Sequence, residues 1–212
     1  MWSLPRLSKG ITEGDQHPQT SYQERKSYLM AKNEKEQAVQ ITHFSIKHVV
    51  VSSKQSFEQV SAALEARLGL PADWEVLPQQ LAARNLSWEE VAEFTSPLIG
   101  TSGFTTFIKM DQGTLLSLVG KPKHIAQYSI GNHLLGVQMV EDIPEIGLYA
   151  PLRLLVYEDY EGRTFIAYDR LSSLVAQYHN EGIMHIAQFV DQKLEALARE
   201  ATGNEPEMLS ES

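Results

Sequence analysis

Residues 124–170, HIAQYSIGNHLLGVQMVEDIPEIGLYAPLRLLVYEDYEGRTFIAYDR, decide the fold of this chain. They read in order as a strand, a turn, a short helix and a hairpin. His124–Ile130 is the strand, Gly131-Asn132 the turn, and His133–Val140 the helix. Leu152–Glu158 and Thr164–Asp169 are the hairpin strands, joined through Tyr160-Glu161-Gly162. β-Branched and aromatic residues suit pleated strands, and Asp and Gly supply the backbone conformations that turns require.

Working outward, Ser172–Tyr178 begins a helical run, and Gly182–Ala201 is a long helix with Ile183, Ile186, Val190, Leu194 and Leu197 on one stripe. Upstream, His43–Ser52 reads as the first strand, alternating at Phe44 and Ile46. After a Ser52-Ser53 break, the positions Phe57, Val60, Leu64 and Leu68 form one helical face, with Gly69 as its stop. Trp74, Leu77, Leu81 and Leu86 suggest a helix around 77–84. Ser87 and Glu90 have the spacing of a capping box, which opens a further helix to about Phe94. Phe104–Met110 reads as a strand closed by Asp111-Gln112-Gly113, and Thr114–Val119 as a helical turn broken at Gly120-Lys121-Pro122.

Strands and helices do not alternate singly, so the expected class is α+β. It is a mainly antiparallel sheet with helices packed on one face, in a single domain. That domain is expected over 41–203, with 70–100 as a helical insertion. A flexible polar arm over 1–40 precedes it and a polar tail over 204–212 follows. Met30, in Met30-Ala31-Lys32, reads as an alternative native start.

Several pieces occur in a distinctive order: Gly131-Asn132 before a short helix, Pro144-Glu145-Ile146-Gly147-Leu148, Pro151-Leu152-Arg153, and Val156-Tyr157-Glu158-Asp159 with Gly162. This order resembles the DUF302 family, loosely over residues 41–200 and most closely over 124–170. The resemblance implies a small α+β domain and leaves its biochemical role undefined. Family members often carry proline after the Gly-Asn pair, and His133 stands there in this chain.

The composition is that of a globular protein, 42% hydrophobic and 21% charged. Its formal net charge is −9, with residues 1–40 near neutral, so the folded body carries the acidity. Such a surface repels phosphate backbones, which argues against nucleic-acid binding. The absence of cysteine excludes disulfides, thiolate metal sites and cysteine nucleophiles. No apolar run reaches the length of a membrane span, and the first residues lack a secretory apolar segment, so the expectation is a cytoplasmic protein with no membrane partner.

No phosphate-cradling glycine loop, Gly-x-Ser-x-Gly elbow or dinucleotide fingerprint is present, and no cofactor is expected. His43 and His48 fall on opposite faces of the expected first strand, and no His-x-x-x-His pair occurs. Metal ligation is therefore not expected, although His124, His133 and Asp169 could assemble such a site in three dimensions.

Five residues remain. Asn132 sits at a strand-to-helix junction, where it either caps the helix or leaves its amides for a ligand. His133 is a candidate general acid or base, with Asp169 to orient it; Asp169 alternatively caps the helix near Leu171. Arg153 and Tyr157 share one strand face with Leu155, which suits a ligand site, a dimer contact or a solvated sheet. The resulting expectation is a small-molecule-binding or interaction domain, a homodimer. The alternative is a cofactor-independent lyase, isomerase or hydrolase using His133.

Overall fold

The computed structural model describes residues 39–69, 76–121 and 123–204. Residues 1–38 of the expected 1–40 arm, the alternative start at Met30, Trp74, Pro122 and the tail beyond Asn204 lie outside the described residues. Residues 39–44 belong to a separate unit, and the chain from Ser45 onward forms a unit of its own.

Five strands make one fully antiparallel sheet: β1 His48–Ser53, β2 Thr105–Asp111, β3 Ile125–Gly131, β4 Leu152–Glu158 and β5 Thr164–Asp169. Their order is β1-β5-β4-β3-β2, so the β3–β5 segment forms the centre and the two early strands form the edges. The helices are α1 Phe57–Glu65, α2 Leu77–Ala83, α3 Trp88–Thr95 and α4 Gly113–Leu118. They continue with α5 His133–Asp142, α6 Leu171–Val175 and α7 Glu181–Thr202. The class is α+β, as expected.

Period-two alternation decides what is buried. On β4, Leu152, Leu154 and Val156 are buried, whereas Arg153, Leu155 and Tyr157 face the other way. Helices α1 and α7 cover the buried face, α1 against β4 and β5, and α7 against β1, β5 and α1. Their stripes supply Val60, Leu64, Ile183, Ile186 and Leu194, all at most 1% exposed. Fully burying each such side chain contributes about 1.5–3 kcal/mol. Glu65 ties α1 to the sheet, accepting from the Tyr128 hydroxyl and from Lys109 Nζ, both at 2.7 Å.

Local signals place several helix starts. Ser56 and Ser87 open α1 and α3 with capping boxes, and Asn180 Oδ1 accepts from Ile183 N to open α7. The β4–β5 turn is held by Asp159, whose carboxylate accepts from Glu161 N, Arg163 N and the Arg163 side chain. Gly162 there takes φ +78°, which glycine alone adopts at no cost.

Three expectations need correction. The first strand begins at His48 rather than His43, because its partner β5 ends at Asp169 opposite His48 and the chain then enters α6. The last bond of that ladder is Arg170 N to Lys47 O, and residues 39–47 lie in no strand. The two-faces argument for His43 and His48 falls with it. Gly69 does not end α1, which closes at Glu65; it lies where the backbone of Leu98–Gly100 crosses. Finally, Asp169 does not cap α6. Asp191 of α7 does, accepting from Leu171 N at 2.7 Å and Ser172 N at 3.3 Å.

Candidate functional site

At the end of the sheet where β3 leaves and β4 enters, a cleft of about 480 Å³ opens between α5 and the Tyr149–Leu152 segment. That size falls in the range of small-molecule sites. Phe104, Leu171 and Val190 contribute to its floor, so β2's approach, α6 and α7 all reach it. One face of α5 forms a wall: His133, Gly136, Val137, Val140 and Glu141, at helical spacings of three and four.

Asn132 fixes the start of that wall. Its Oδ1 accepts from Leu134 N at 3.1 Å and Leu135 N at 3.2 Å, and its Nδ2 donates to Gly103 O at 3.1 Å. The side chain is 7% exposed, so the cap is made away from water. It occupies two of the amides that a helix start would otherwise offer to an anion.

His133 is the first residue of α5, and both its ring nitrogens are shielded from solvent. Burial lowers its pKa from 6.5 to about 4, because the charged imidazolium is the form that loses hydration. At neutral pH the ring is uncharged.

The folded pKa lies below the unfolded value, so the unfolded chain takes up the proton first as pH falls. Stability from this group is full above pH 6.5 and is lost between 6.5 and about 4. Denaturant unfolding of the wild type and of His133→Leu should therefore show a stability gap that moves in the variant's favour over that window. A gap independent of pH would contradict the shielded imidazole.

The other three expected residues do not line the cleft. Arg153 is exposed, and Tyr157 is half-buried and stacked on Phe165 with ring centroids 5.4 Å apart, both on the sheet face opposite α1 and α7. Asp169 is on that face too, with Oδ1 2.7 Å from His48 Nδ1. The structure therefore brings Asn132 and His133 to one place, and Arg153, Tyr157 and Asp169 to another. His124 pairs with Glu58 at 3.0 Å and packs edge-on against Phe57. Among the described residues no group of three His, Asp or Glu side chains could hold a metal, and no helix is long and apolar enough to cross a membrane.

Sequence reasoning passed over Gly136, Glu141, Phe104 and Pro151 as site residues. The α5 stripe was the available signal, but an apolar helical stripe reads first as core.

A five-stranded antiparallel sheet with helices on one face and an apolar cleft at the sheet's end define a small α+β domain. A family model described as domain of unknown function DUF302 matches residues 79–201, more than half of the chain. The chain belongs to the DUF302 family. It is similar to the crystal structure of an uncharacterized conserved DUF302 protein from Bacillus stearothermophilus, at 17% identity and a TM-score of 0.51, covering 73% of this chain and 97% of that one. At that identity the likeness shows the fold alone. No curated protein matches the chain.

Proposed function

We propose that this domain binds a small, mostly apolar molecule in the cleft beside α5. The observation that carries the reading is the cleft itself, about 480 Å³ and walled by Phe104, Val137, Val140, Tyr149 and Pro151. A concave apolar space of this size with few polar groups is the usual form of a ligand site. Glu141, exposed at the rim of that wall, is the polar group that orients the occupant.

Gly136 provides the test. A Cβ built there meets no atom within 4 Å, so a larger side chain grows into the cleft instead of into packed protein. Gly136→Trp should reduce binding of the uncharged dye Nile red at least tenfold, read by fluorescence titration, while circular dichroism stays unchanged. Gly136→Ala is the control, expected to keep binding and to gain about 1 kcal/mol of stability from helix propensity. Equal Nile red binding by wild type and Gly136→Trp would defeat the reading.

The enzymatic alternative, with His133 as general acid or base, is weaker. A general acid or base works best with a pKa near the operating pH, and burial takes His133 well below it. Asp169, meant to orient it, is engaged with His48.

The same domain works as a homodimer in this reading, paired through the sheet face that α1 and α7 leave open. That face exposes Val50, Ile108 and Met110 beside Leu155, Tyr157 and Phe165. It also carries Arg153 and Asp169, opposite charges on one patch, as a self-complementary two-fold contact needs. Arg153→Glu should convert a dimer to a monomer in native mass spectrometry and sedimentation. A wild-type monomer at micromolar concentration would rule the dimer out.

A further inference from the structure

We infer that the cleft selects its occupant by charge, taking an apolar molecule that ends in an amine and turning away carboxylates of the same shape. This rests on the reading of the cleft as a ligand site. Among the described residues that wall it there is no lysine and no arginine, and Glu141 is the acidic side chain.

Both ends of α5 point the same way. Glu141 lies in the last turn, where unsatisfied helix carbonyls add negative partial charge and favour a cation. The opposite end would normally attract an anion, but Asn132 Oδ1 already takes the amides of Leu134 and Leu135. His133 at that end is held uncharged by burial. A carboxylate entering the cleft therefore finds no opposite charge anywhere along the wall, and it also gives up hydration. The chain's net charge of −9 disfavours it further at longer range.

Between His133 and Glu141 the helix rises roughly 12 Å, at about 1.5 Å per residue. Gly136, Val137 and Val140 line that interval and offer only apolar surface to the body of the ligand. The end group then meets Glu141 at the exposed rim, where an ammonium keeps part of its water while gaining a charge-assisted hydrogen bond.

The test is calorimetric titration of the full chain at neutral pH with octylamine, octanol and octanoate, which share a body and differ in the end group. Octylamine should bind roughly fivefold tighter than octanol, the upper end of what one solvated ion pair contributes. Octanoate should bind more weakly than octanol. Glu141→Gln should bring octylamine level with octanol and leave octanol unchanged. If Nile red binds but octylamine does not lead, or its lead survives Glu141→Gln, charge selection fails and the cleft reading stands. If neither Nile red nor any of the three binds, the cleft reading falls and takes this inference with it.

Discussion

Asp191→Ala should destabilise the domain by about 3 kcal/mol, lowering its melting temperature by roughly 10 °C for a domain of this size. The carboxylate is 6% exposed and accepts the first two backbone amides of α6 from a position twenty residues away on α7. Hydrogen bonds to a charged acceptor contribute about 1.5–3 kcal/mol, and truncation also leaves Leu171 N buried without its acceptor. Asp191→Asn keeps one acceptor oxygen and should cost roughly half as much. The effect reaches the cleft, since Leu171 and the neighbouring Val190 form part of its floor. Nile red affinity should fall in Asp191→Ala along with stability, measured by thermal unfolding and dye titration side by side. An unchanged melting temperature would show that α6 is held by its apolar contacts alone.

The contrast between Asp169 and Asp191 shows which part of this molecule is legible in sequence. Asp169 stands two residues before Leu171, and local rules offer it as the cap. The acceptor that makes the bond comes from another helix, and no spacing rule connects positions twenty apart across a turn. Ser87 and Asn132 are readable because donor and acceptor are three residues apart or fewer. The same holds for alternation: Leu152–Tyr157 assigns each side chain to its face because the period of a strand is fixed by geometry. Phe44 and Ile46 alternate as well, yet neither lies in a strand, and pairing is a property of β5 and not of the residues themselves.

The cleft was hidden for a different reason. Val137, Val140, Phe104 and Leu152 are the residue types that fill cores, and only the absence of packing at Gly136 distinguishes a wall from an interior. Arg153 and Tyr157 stand out in sequence as a charge and a hydroxyl in an apolar strand. The helix beside Gly131 carried the concavity.

Gly69→Ala should be a severely damaging single-methyl change, costing about 3 kcal/mol or more and leaving little folded protein. A Cβ at Gly69 would overlap the Leu98 carbonyl oxygen and crowd the amide of Gly100. Both obstacles are backbone, so no rotamer change relieves them. The backbone there has nowhere to retreat, because Gly69 N donates to Phe104 O at 2.8 Å and Gly100 N donates to the same oxygen at 3.0 Å. That carbonyl belongs to the residue whose ring walls the cleft, and the preceding Gly103 O accepts from Asn132 Nδ2. The methyl group therefore pushes on a chain of contacts running from the end of α1 to the cap of α5. Thermal unfolding and soluble yield measure the loss directly. Gly147→Ala, where a Cβ meets no atom within 4 Å, should leave both nearly unchanged and serves as the matched control. A Gly69→Ala protein as stable as Gly147→Ala would mean that the Leu98–Gly100 crossing is free to move aside, and the wall at Phe104 with it.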